Sequence, residues 1–237
     1  EDTGNNRTPS TTTAADTVGS EQNSESPSAS SDVTPAVSDE TSADTWERAS
    51  ETEETASTDN LVLPQYDRAF FSDDLFIGDS ISTGLYLYDY LDAENVFAEV
   101  GLNPESALTK EVNDVTCIEK AAQMQPKRIY IMLGTNGLAF MDAEYMSVKL
   151  IELVSELEMA CPTAKICVIS LPPVTQAHDA EGKETMAKIN EYNSKAKDIC
   201  SQGGYTYVDI CSELMDGDGY FSSQYAEEDG LHFQGGA

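Results

Sequence analysis

The sequence predicts an α/β fold, a parallel β-sheet with helices on both faces, and three observations carry that expectation. Short apolar runs recur between polar and helix-patterned stretches, the alternation that parallel strands with helical crossovers produce. One intervening stretch carries a strong helical stripe. All of this lies after about residue 60, where the composition changes abruptly.

Residues 1–60 hold about 23 Ser or Thr and about 14 Asp or Glu, with Trp46 the single aromatic. Such a segment cannot bury enough apolar surface to offset its ordering entropy, so a disordered tether is expected there. Residues 61–237 carry nearly all the Ile, Leu, Phe, Tyr and Met, enough for one buried core. The expected strands are Leu75 to Gly78, Val96 to Val100, Arg128 to Leu133, Lys165 to Leu171 and Tyr205 to Ile210. Met146, Leu150, Leu153, Val154 and Leu157 recur at helical spacing behind Asp142, a natural N-cap, and Pro162 marks the stop. Shorter helices are expected from about Thr83 to Leu91, Val115 to Met124 and Glu184 to about Ser201.

Thirteen basic residues against 43 acidic ones leave a formal net charge of -30. About -12 of it falls in the tether, so the folded part is strongly acidic too, and its field repels nucleic acid and anionic lipid headgroups. No run of 18 apolar residues suggests a membrane span. The chain begins at Glu1, and a Ser/Thr/Asp/Glu tether at that point suggests a surface domain behind a lost export signal or membrane anchor, hence an extracellular or cell-surface location, with a start cut from inside a longer chain as the alternative. Five cysteines with no C-x-x-C pair suggest neither a zinc site nor a disulfide framework, but buried free thiols.

In an open parallel sheet, functional groups gather in the loops at the carboxyl ends of strands. Those loops hold Asp79-Ser80, Gly101, Gly134-Thr135-Asn136 and Pro172-Pro173-Val174, and Asp229-Gly230-Leu231-His232 follows near the end. A serine hydroxyl needs a base to take its proton, and the chain offers two histidines. His232 lies three residues after Asp229, close enough for the carboxylate to hold Nδ1 and leave Nε2 facing a serine. His178 has Asp179 adjacent, but adjacent side chains point apart. Acyl transfer also needs donors for the developing oxyanion, and Gly101 and Asn136 each end a strand. Taken alone, Gly101 reads as a turn glycine and Asn136 as a cap for its loop.

Together and in order, these residues resemble the SGNH (GDSL-like) hydrolase superfamily. The matching segments are Phe76-Ile77-Gly78-Asp79-Ser80, Val100-Gly101-Leu102, Leu133-Gly134-Thr135-Asn136 and Asp229-Gly230-Leu231-His232, over about Asp73 to Phe233. The resemblance implies a flavodoxin-like three-layer fold with strand order 2-1-3-4-5. It further implies ester hydrolysis without metal or other cofactor, with Ser80 as nucleophile and Asp229 and His232 as its relay. The implied oxyanion hole combines the Ser80 and Gly101 amides with the Asn136 side chain. Relatives usually run on into a last helix after the histidine, so a domain lacking that helix is expected.

Rival motifs fail on their residues. Asp216-Gly217-Asp218-Gly219 is followed by Tyr220 and Phe221, which excludes an EF-hand loop. Gly78-Asp79-Ser80-Ile81-Ser82 lacks the final glycine of a nucleophile elbow. The expected activity is removal of acetyl or another small acyl group from a carbohydrate. Lysophospholipid or short-chain lipid esters are the alternative substrates, and a non-catalytic surface module binding carbohydrate is the alternative outside enzymes.

Overall fold

Five strands form where the apolar runs stand: β1 (Asp74–Gly78), β2 (Val96–Ala98), β3 (Arg128–Met132), β4 (Lys165–Ile169) and β5 (Thr206–Val208). They pair in the order β2-β1-β3-β4-β5 and are parallel throughout, as the family resemblance implies. The structure is a computed structural model and describes residues 68–235. The tether expected over residues 1–60 lies outside these.

Eight α-helices connect and cover the sheet among the described residues. The long one predicted behind Asp142 is α5 (Ala143–Ala160), and the Asp142 side chain accepts from the Tyr145 amide at its start. It packs with α3 (Cys117–Met124) and α7 (Met186–Gly203) on one face of the sheet. Leu75, Ile77, Ile129, Ile131, Ile166 and Val168 meet Leu150, Leu153, Leu157 and Ile189 there in the main core. The alternate strand residues point the other way. On that second face Phe76 and Tyr130 stack at 4.5 Å, and Phe71 meets both edge-on. The cover there is α1 (Ser80–Leu87), with Leu85 and Tyr86 against Leu91, Val96 and Ala98.

Helix starts differ from the sequence expectation where caps decide them. The first helix was expected from Thr83, yet it begins at Ser80 because Asp79 caps it, accepting from the Ile81 amide at 3.0 Å. The third begins at Cys117 behind a capping box of Thr116 and Glu119. All five cysteines are buried free thiols. Among the described residues no helix is long and apolar enough to cross a membrane.

Two residues of α7 pin the strand ends that carry the site. The buried Tyr192 hydroxyl donates to the Leu133 carbonyl at 2.9 Å. Asn193 takes both backbone groups of Leu171, accepting from its amide at 2.8 Å and donating to its carbonyl at 3.0 Å. These bonds satisfy backbone groups that the sheet leaves unpaired as it ends.

Candidate active site

Ser80 is the first residue of α1, set directly behind β1 by the single residue Asp79. This places its side chain at the carboxyl edge of the sheet, partly exposed. His232 reaches the same point from the end of the chain. Its Nε2 lies 2.9 Å from Ser80 Oγ, and its Nδ1 lies 2.6 Å from Asp229 Oδ2. In the neutral ring the Nδ1 hydrogen donates to Asp229, and Nε2 is then free to accept from the serine hydroxyl. The structure thus brings together the three residues that the sequence singled out.

Asp229 uses its second oxygen to shape its own loop. Oδ1 accepts from the amides of Leu231 at 2.9 Å and His232 at 3.0 Å. Burial alone would raise this carboxyl, but those amides and the His232 ring outweigh it and hold it down at about 2. Asp229 is therefore a carboxylate throughout the ordinary pH range, as a group that orients and stabilises a charged imidazole must be.

The second carboxylate of the site behaves in the opposite way. Asp79 is 1% exposed, and burial pushes its carboxyl up to about 6 against the Ile81 amide, the Asn136 side chain and the charge of His232. Its Oδ2 has no partner meeting hydrogen-bond geometry. Asn136, the second residue of α4 (Thr135–Leu138), thus stands beside the residue preceding Ser80.

Gly101 lies on the exposed turn between β2 and α2 (Pro104–Ala107) with φ +80. A Cβ there would meet nothing within 4 Å. Its left-handed backbone, rather than close approach of a neighbour, calls for glycine.

A groove of about 510 Å³ opens beside Ser80 and His232. Phe76, Leu85, Tyr130, Met132 and Ile169 give it an apolar wall along the second face of the sheet. Among the described residues no group of three or more His, Cys, Asp or Glu is placed to hold a metal ion.

Sequence reasoning missed the residues around His178. This histidine belongs to α6 (Gln176–Asp179), and its carboxylate partner is Glu184, not the adjacent Asp179. Asp179 instead accepts from the Met186 amide at 2.6 Å. A contact six residues apart across an irregular stretch follows no helical or strand period, so no pattern announces it.

The sequence pattern of the GDSL-like lipase/acylhydrolase family matches residues 76–235. No curated protein matches the chain. Among solved structures, a GDSL-like lipase from Bacteroides thetaiotaomicron is similar with 17% identity and a TM-score of 0.55, over 68% of this chain and 79% of that one. A lipase/acylhydrolase from Enterococcus faecalis is similar with 16% identity and a TM-score of 0.50, over 68% of this chain and 87% of that one. At these identities the structural likeness speaks for the fold.

Proposed function

The chain belongs to the GDSL-like lipase/acylhydrolase family and is an ester hydrolase, and from that premise we propose that Ser80 is its nucleophile, His232 its base and Asp229 the carboxylate that orients the base. The observation that carries this reading is the unbroken chain of contacts from Asp229 Oδ2 through both ring nitrogens of His232 to Ser80 Oγ. In the first step Ser80 Oγ attacks the ester carbonyl as its proton passes to His232 Nε2. The imidazolium, stabilised by Asp229, then returns that proton to the leaving alcohol. Water repeats the sequence on the acyl-enzyme and releases the acid. Oxyanion donors in this proposal are the Ser80 and Gly101 amides and the Asn136 side chain. The location of Asn136 beside Asp79 supports its part, and the Gly101 amide rests on the family resemblance.

We further propose a small acyl group, acetyl or close to it, carried on a carbohydrate at the cell surface. A partly exposed Ser80 leaves room for a bulky polar alcohol, and the charge of -30 repels anionic headgroups. One observation favours a second reading, a lipid ester: the apolar groove beside Ser80 has the walls that an acyl chain needs. A chain-length series of aryl esters, run beside acetylated oligosaccharides, decides between them. Rates that fall steeply beyond acetyl support the first reading, and rates that climb with acyl length overturn it. Labelling of Ser80 by a fluorophosphonate tests the nucleophile itself.

A further inference from the structure

The relay proposed above leaves one histidine unused, and that residue is built into the loop that holds the relay. His178 is enclosed, with 11% of its side chain exposed and 13% of that of Glu184. Its Nδ1 lies 2.9 Å from the backbone carbonyl oxygen of Asp229, and its Nε2 lies 3.2 Å from the Glu184 carboxylate. A backbone carbonyl has no hydrogen to give, so Nδ1 donates to it, and Nε2 is left facing the Glu184 carboxylate.

The contact is part of a wider clamp. The Thr175 amide donates to the Gly230 carbonyl at 3.0 Å, one residue along from the Asp229 carbonyl that faces His178. Gly230 has φ +73, and a Cβ there would come within 2.1 Å of Thr175 Oγ1 and 3.1 Å of His178 Cβ. The loop is therefore pressed against the first turn of α6 with no space between. The Thr175 hydroxyl caps that turn by accepting from the His178 amide.

We propose that His178 is a positioning residue of the active site: its Nδ1 hydrogen fixes the Asp229 backbone, Glu184 fixes the ring, and the Asp229 carboxylate is thereby aimed at His232. This inference rests on the reading of Asp229 and His232 as the relay. A relay displaced by a fraction of an ångström still binds substrate but loses rate in the proton-transfer steps.

Two conservative substitutions separate the ring's two bonds. His178→Asn keeps an amide N–H near the position of Nδ1, within reach of the Asp229 carbonyl. His178→Gln puts its N–H near the position of Nε2 and keeps only the Glu184 bond. On an aryl acetate, His178→Asn is expected within about threefold of the parent kcat, and His178→Gln about tenfold lower with KM unchanged. Proton NMR of the same full-length samples reads the relay without turnover. The hydrogen between His232 Nδ1 and Asp229 should give a sharp downfield signal in the parent and in His178→Asn, and a broadened one in His178→Gln. Equal losses in the two variants, or an intact downfield signal in His178→Gln, would overturn the positioning role. Should the parent neither hydrolyse the ester nor take a fluorophosphonate at Ser80, the relay reading fails, and the NMR comparison still decides whether His178 sets the Asp229–His232 contact.

Discussion

The two halves of the proposed active site are held by different kinds of structure. Ser80 begins α1 after a one-residue gap from β1, and Asn136 is the second residue of α4, which starts after a two-residue gap from β3; both strands lie in the middle of the sheet with neighbours on both sides. Asp229 and His232 stand in a stretch with no strand or helix between Leu214 and Gly235. That stretch is tied down by isolated bridges, an edge-on contact of Phe221 with Phe233 at 5.1 Å, and the Thr175 and His178 clamp. A strand end positions a side chain through the sheet's ladder, which Tyr192 and Asn193 only pin where it ends. A loop must be positioned by side chains borrowed from elsewhere, which makes it the half more easily disturbed.

The largest effects come from removing either half outright. Ser80→Ala and His232→Ala should each lower kcat by about 10⁴-fold or more, with the double variant little worse than either, because the two act as a unit. Steady-state rates on an aryl acetate, with folding checked by circular dichroism, read this directly. A His232→Ala enzyme retaining a tenth of the parent rate would remove that residue as the base.

Asn136→Ala tests the strand-end half without touching the relay. If the amide donates more strongly to the tetrahedral intermediate than to the ester, kcat should fall about 100-fold to 1000-fold, roughly 3 to 4 kcal/mol, with KM little changed. A loss of stability with near-normal kcat would reduce Asn136 to a loop cap.

These positions were legible in the sequence for the same reason that their half is rigid. Runs such as Leu75 to Gly78 and Arg128 to Leu133 identify strands, and the residues soon after them belong to the proposed site. Asp229 and His232 were legible through their spacing, since three residues let a carboxylate reach back to a ring, together with their place in the ordered set of family motifs. The start of α1 was not, because Ser80, Ile81, Ser82 and Thr83 are indifferent helix formers and the cap at Asp79 decides the matter. Nor was the His178 clamp, whose key acceptor is a backbone carbonyl 51 residues away. Backbone acceptors leave no mark in a sequence.

The comparison sharpens when pH is varied, because the two carboxylates respond in opposite senses. Folding raises the Asp79 carboxyl, so its contribution to stability is complete below about pH 4 and is lost as pH rises through about 6. Folding depresses Asp229, whose contribution is present above about pH 4 and is lost as pH falls towards about 2. Asp79→Asn keeps an acceptor for the Ile81 amide and discards the buried charge. Between pH 4 and 7 its melting temperature should therefore gain several degrees relative to the parent, corresponding to roughly 2 to 3 kcal/mol. A difference that stays flat over that range would show that Asp79 does not titrate there.

The smallest expected effect isolates how the strand-end half is held. Tyr192 is 2% exposed and Leu133 is 2% exposed, so the 2.9 Å bond between the Tyr192 hydroxyl and the Leu133 carbonyl has no water to replace it. Tyr192→Phe preserves the ring and removes only that hydroxyl, leaving a buried carbonyl without its donor at a cost of about 1 to 2 kcal/mol. Leu133 stands three residues before Asn136, and the freed carbonyl lets the turn into α4 shift while the Asp229–His232 loop keeps all its contacts. The expected result is a Tm lower by a few degrees, a kcat reduced by about twofold to fivefold, and an unchanged downfield signal from the His232 Nδ1 hydrogen. Loss of that signal would mean that disturbance at β3 travels to the loop and that the halves are not separately held. An unchanged kcat alongside the lower Tm would confine Tyr192 to stability and leave the placing of Asn136 to Asp79.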